Sequence, residues 1–211
     1  MADPKTILAY GDSNTWGCVP MNGPDDGRRF PIEVRWPTVA AARLGPGFAI
    51  AAEGLNGRTT CLDDPIEGRH KNGETFFPVA LETHAPLAGV VIVLGTNDLK
   101  ARFGLPASDI AAGAGRLVAI AKAYGVPKIL LVAPAPLTTL GWLAEMFAGG
   151  EETSRGFAAA YAAVAARHGV DFLDAGAVVA SSPVDGIHLD AEAQVALGRA
   201  IGDKLAAMVA A

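Results

Sequence analysis

The stretch Val90–Ala133, VVIVLGTNDLKARFGLPASDIAAGAGRLVAIAKAYGVPKILLVA, holds one complete architectural unit. It opens on an unbroken apolar run, Val90 to Leu94, which stops at Gly95. From Ser108 to Tyr124, the residues Ile110, Ala114, Leu117, Ala121 and Tyr124 share one helical face; Ser108 stands where a cap belongs and Gly125 where the helix should end. Ile129 to Ala133 is a second short apolar run. Such runs, lacking polar alternation, suit strands buried on both faces, and two of them joined by a helix make a parallel βαβ unit.

The same grammar extends in both directions. Thr6 to Tyr10, Phe48 to Ala52 and Val170 to Leu173 read as further strands, and Phe157, Tyr161 and Val164 form a helical stripe before Gly169. Leu197, Ile201, Leu205 and Met208 form another at the C-terminal end. The pattern predicts an α/β fold, a three-layer α/β/α sandwich around a five-stranded parallel sheet with right-handed crossovers. A chain of 211 residues suits a single domain over 1–211, with no repeat or linker to divide it.

The totals narrow the function. A net charge of −5 without a basic stripe argues against nucleic acid as a partner. No run approaches the roughly 20 apolar residues that span a bilayer. The opening MADPKTILAYGDS lacks a basic n-region and reads as a strand, not a signal peptide. Two cysteines, Cys18 and Cys61, are too few for a disulfide framework, so a reduced, cytoplasmic setting is expected, without membrane contact. His70, His84 and His168 have no companions at metal-ligand spacing, and HKNGE and Asp63–Asp64 read as solvated loop. GAGR, from Gly113, lies inside a helical pattern and is no dinucleotide fingerprint; no metal and no cofactor are expected.

In sheets of this kind the ligand site lies outside the carboxyl ends of the strands. The loops leaving those ends are GDSN, EGLNGR, GTND and APAPL, and the last strand is followed by DAGAVVASSPVDGIHLD. A serine hydroxyl is a weak nucleophile until a base takes its proton. Ser13 offers the hydroxyl and His188 the base, while Asp185, three residues earlier, can accept from the imidazole and hold its tautomer, with Gly186 turning the loop between them. Acyl transfer also needs donors at the developing oxyanion. The backbone N–H groups of Ser13 and Gly54 and the side-chain amide of Asn97 qualify. Each has a plainer reading: DGIH as a turn and helix start, Gly54 as a turn glycine, Asn97 as a loop residue bonding its own backbone, Asp12 and Ser13 as helix caps.

These blocks in this order resemble the SGNH hydrolases, also called GDSL-type esterases. The four name-giving residues are then Ser13, Gly54, Asn97 and His188. The resemblance implies the flavodoxin-like fold of that family, with Ser13 as nucleophile, His188 as base, Asp185 as its orienting acid, and an oxyanion hole from Ser13, Gly54 and Asn97. GDSNTWGCVP, RFPIEVRWP, EGLNGRTTCLDDP, VIVLGTNDLK and WLAEMFAGGEE are similar to the arylesterase and acyltransferase (perhydrolase-like) branch. That similarity implies a small, short-acyl ester as substrate, acyl transfer to alcohols or peroxide beside hydrolysis, and a homo-oligomer whose loops narrow the active-site entrance. Position 14 is Asn where the GDSL name has Leu.

Asn14, Trp16, Trp142, Phe147 and Ile187 are the candidate substrate contacts. Trp16 can wall a pocket or serve as core, and Trp142 and Phe147 can cover the site, face a neighbouring subunit or form a small core beneath their loop. A carbohydrate O-deacetylase is the alternative within enzymes, favoured by Asn14 and the polar EGLNGRTT loop. A catalytically inactive ester- or glycan-binding module is the alternative outside them.

Overall fold

The structure, a computed structural model, describes residues 3–210; Met1, Ala2 and Ala211, the ends of the expected domain, lie outside the described residues. Five strands form one sheet: β1 (Lys5–Gly11), β2 (Phe48–Gly54), β3 (Leu87–Val93), β4 (Ile129–Ala133) and β5 (Asp171–Asp174). Their spatial order is β2-β1-β3-β4-β5, with every neighbouring pair parallel. This is the flavodoxin-type order, in which the direction of winding reverses between β1 and β3 and leaves a crevice there.

The strand period of two divides the apolar residues between the two faces. Leu8, Tyr10, Val90, Ile92 and Leu131 point to one side, where α3 (Gly73–Thr83), α4 (Ala107–Ala123) and α6 (Phe157–His168) bury Phe77, Leu117 and Tyr161 against them. Ile7, Ala9, Val91, Val93, Leu130 and Val132 point to the other, against Trp36 of α2 (Trp36–Leu44) and Leu197, Ile201 and Leu205 of α7 (Ala191–Ala210). Two short helices, α1 (Ser13–Trp16) and α5 (Gly150–Ser154), complete the set among the described residues. The three-layer sandwich expected from the sequence is present.

Four local expectations are corrected. The edge strands β2 and β5 are only partly buried, because each has a neighbour on one side alone. Ser108 does not cap α4: the helix starts at Ala107, and the extended Pro106 before it offers its carbonyl to the N–H groups of Asp109 and Ile110 at 3.1 and 3.2 Å. Tyr124 leaves the buried face because the helix ends at Ala123; it is 47% exposed and its hydroxyl donates to Glu82 at 3.0 Å. Asp64 is not solvated. It is fully buried, paired with Lys100 at 3.3 Å and Arg102 at 2.9 Å, and accepts the N–H groups of Ile66 and Glu67. Burial pushes its carboxyl up, but those N–H groups and the Lys100 charge outweigh it and bring the pKa down to about 2.

Tyr161 ties α6 to the end of β3, its buried hydroxyl donating to the Leu94 carbonyl at 2.7 Å just before the GTND loop. Replacing it by Phe leaves that carbonyl unpaired in a dry interior, a loss of about 1–2 kcal/mol. Tyr161→Phe is expected to lower the urea midpoint with an unchanged slope, and an unaltered midpoint would show the bond to be dispensable.

Candidate active site

Gly11 at the end of β1 is in register with Gly54 of β2 and Val93 of β3, so three strands finish level and their exits share one rim. Ser13 opens α1 on that rim. Asp12 caps the helix by accepting the Asn14 N–H at 2.9 Å, and Gly17, at φ +91°, ends it after one turn. The helix lies directly on the end of β2: a Cβ at Gly54 would stand 2.2 Å from the Trp16 nitrogen. Glycine at 54 is therefore what allows the helix of Ser13 to approach the sheet so closely. The neighbouring Leu55 N–H bonds Gly11, so strand alternation turns the Gly54 N–H away from β1.

His188 arrives from the opposite end of the chain, on the loop that precedes α7. Its Nε2 lies 3.1 Å from Ser13 Oγ and its Nδ1 2.6 Å from Asp185 Oδ2. Asp185 is fully buried and also accepts the backbone N–H groups of Ile187 (3.0 Å), His188 (2.9 Å) and Met21 (2.6 Å). Burial alone would raise its pKa, but the His188 bond and these donors hold the carboxyl below the usual range. Burial likewise favours a neutral His188 ring. The bond to Asp185, with the Cys18 thiol alongside, reverses this and raises the imidazole above its ordinary value. Gly186, at φ +77°, makes the turn; a Cβ there would lie 2.7 Å from the Thr139 carbonyl.

Asn97 sits in the single turn Thr96–Leu99 after β3 and is 7% exposed. One hydrogen of its amide goes to the Arg58 carbonyl at 3.0 Å, which fixes the group and leaves the second N–H to point elsewhere. Arg58 is itself buried. It donates to the Gly11 carbonyl at 2.9 Å and to that of Glu53, closing the ends of β1 and β2, and its guanidinium lies 4.2 Å from the centre of the Tyr10 ring. Asp98, beside Asn97, accepts from the Thr60 N–H and hydroxyl and so joins the loops after β2 and β3. Burial, opposed by those donors, raises Asp98 to about 7; burial raises Asp12 to about 6 against the Asn14 N–H.

The structure thus brings Ser13, His188 and Asp185 into one hydrogen-bonded line, with Asn97 and Gly54 on adjoining loops of the same rim. The candidate substrate contacts separate. Asn14 engages its amide with backbone on either side of His188. Trp16 is part-buried beneath the Arg29 guanidinium, 4.6 Å from its ring centre. Trp142 is 39% exposed and donates to the Met21 carbonyl at 2.9 Å. Phe147 and Ile187 are buried in the core cluster on the α4–α6 side of the sheet. Met21 and Arg58 are the site residues that sequence reasoning missed. Met21 contributes only backbone, which leaves no signal in sequence, and Arg58 was visible only as one charge in a polar loop. Among the described residues no cluster of His, Cys, Asp and Glu is arranged to hold a metal ion, and no helix is long and apolar enough to cross a membrane.

Comparison with known proteins places the chain in a family. The profile of the GDSL-like lipase/acylhydrolase family matches residues 9–196. Est24, a carbohydrate acetylesterase from Sinorhizobium meliloti, is 43% identical over 96% of this chain and 99% of its own, with a TM-score of 0.93. The aryl esterase of M. smegmatis is 40% identical over 97% of this chain and 99% of its own, with a TM-score of 0.91. No curated protein sequence matches the chain. The family match runs from before Ser13 to beyond His188, and the chain belongs to the GDSL-like lipase/acylhydrolase family, the SGNH esterases.

Proposed function

We propose that this SGNH esterase cleaves small, short-acyl carboxylic esters, acetates above all, through an acyl-enzyme on Ser13. The observation that carries the reading is the run of contacts from Ser13 Oγ to His188 Nε2, 3.1 Å, and from His188 Nδ1 to Asp185 Oδ2, 2.6 Å. As Oγ attacks the ester carbonyl, Nε2 takes its proton; the imidazolium so formed faces an ionised Asp185. The carbonyl oxygen becomes an oxyanion, received by the N–H groups of Ser13 and Gly54 and the free amide hydrogen of Asn97. His188 then returns the proton to the departing alkoxide. Water, or another alcohol or peroxide, repeats the sequence on the acyl-enzyme and frees Ser13.

The acetyl preference is supported by the similar protein named as a carbohydrate acetylesterase; the other similar protein is named as an aryl esterase, which specifies the alcohol half of the ester. The first favours a second reading, removal of acetyl groups from sugars, which uses the same acyl half and differs only in the alcohol released. The exposed Trp142 and Met146, on the long loop after β4, supply an apolar surface for contact between subunits of a homo-oligomer.

Release of p-nitrophenol from its acetate, butyrate and octanoate tests this directly. Ser13→Ala and His188→Ala are each expected to fold and to lose at least about a thousandfold in kcat/KM, with the initial burst of phenol gone from Ser13→Ala. Equal rates in wild type and Ser13→Ala would overturn the nucleophile, and no release above background by wild type would leave an ester-binding module. Wild-type kcat/KM should fall steeply from acetate to octanoate; a flat profile would remove the short-acyl assignment.

The pH profile tests the base. Only neutral His188 accepts the proton, so kcat/KM rises with pH through the folded imidazole pKa, which Asp185 holds above about 6.5. Asp185→Asn should move this limb to lower pH and depress the plateau by about 10³- to 10⁴-fold. A limb that stays in place in Asp185→Asn would show that Asp185 does not act on the base.

A further inference from the structure

Asp185 fixes the His188 ring from within its own loop, but a catalytic base must also be registered to the nucleophile, which belongs to a helix at the other end of the chain. Asn14, the residue after Ser13, makes that connection. Its Oδ1 accepts the Leu189 N–H at 2.9 Å and its Nδ2 donates to the Ile187 carbonyl at 3.3 Å. One side-chain amide therefore holds the backbone on both sides of His188. Only an Asn or Gln amide presents an acceptor and a donor side by side in this way; a carboxylate lacks the donor and a leucine lacks both. Ile187 and Leu189 are 5% and 3% exposed, so water does not readily replace these bonds.

The main chain that carries this amide is itself anchored from behind. The Asn14 backbone carbonyl accepts from Gln194 Nε2 at 2.9 Å, and Gln194 Oε1 accepts the Trp36 N–H at 3.0 Å. Gln194 lies in α7 and is fully buried; Trp36 opens α2. The contacts thus run from α2 through α7 to α1 and on to the loop of His188.

We propose that Asn14 is a positioning residue for the esterase reaction: a backbone clamp that sets His188 against Ser13, with Gln194 securing the clamp. The inference rests on the serine-esterase reading and adds to it a role for the position where the GDSL name has Leu. It gives Asn14 no contact with substrate.

Asn14→Leu and Asn14→Asp test it, with kcat and KM measured separately on p-nitrophenyl acetate and butyrate, and the His188 Nδ1 proton followed by NMR. Displacing a reacting group by about 1 Å costs on the order of 100-fold. Asn14→Leu should lower kcat by roughly 10- to 100-fold, leave KM within about twofold on both esters, and broaden or shift the Nδ1 resonance. Asn14→Asp keeps the bond to Leu189 and sets a carboxylate against the Ile187 carbonyl, so it should also lose kcat while KM holds; it carries the test if the leucine variant fails to fold. Unchanged kcat with a wild-type Nδ1 resonance in a folded variant overturns the proposal. So does a KM change that differs between acetate and butyrate, which would make Asn14 part of the acyl pocket. If wild type releases no phenol, the esterase reading fails on its own, and the Nδ1 resonance still decides the clamp.

Discussion

A carboxylate removed from water must be given hydrogen-bond donors in return, and the site is organised around that requirement at Asp185. The group is fully buried and accepts four hydrogen bonds, three from backbone N–H groups and one from the His188 ring. Without them a buried anion costs several kcal/mol or takes up a proton. Meeting the requirement draws in distant segments. Met21 brings the loop after α1, and Trp142, through its bond to the Met21 carbonyl, brings the loop after β4. The walls of the site are in this sense consequences of keeping one acid ionised.

The Ser13 side answers a different constraint. Parallel strands that end level leave carbonyls without partners at their tips. Arg58 donates to the Glu53 carbonyl and adds a second donor to the Gly11 carbonyl, which also accepts the Leu55 N–H, while Tyr10 covers its guanidinium. Because the Arg58 carbonyl in turn holds the Asn97 amide, the residue that closes the sheet edge also fixes that amide on the rim. Gly54 completes the arrangement by having no side chain, which lets α1 rest on β2 and brings Ser13 within reach of His188.

Much of this was legible in the chain. Val90–Leu94 and Ile129–Ala133 announce strands because a doubly buried strand must be apolar at successive positions, and Leu197, Ile201 and Leu205 announce a helix because burial on one face imposes its period. Ser13, Asn97, Asp185 and His188 stand out because few polar residue types serve acyl transfer and all four occur in loops at strand ends. Other residues were not legible. Asp64 reads as a solvated acid until Lys100 and Arg102 arrive from another loop. Phe147 looks available for substrate or partner until its loop folds it into the core.

Sequence by itself determined the parallel α/β architecture and the set of polar residues delivered to its rim, since apolar period and loop composition are local properties. Tertiary structure alone decided what each polar group does there. Asn14 and Ile187 lie 173 positions apart, and whether an amide meets substrate or backbone depends on ångström-scale placement of segments that only the packed core brings together. Hydrogen bonds are short and directional, so their partners are settled last, by packing.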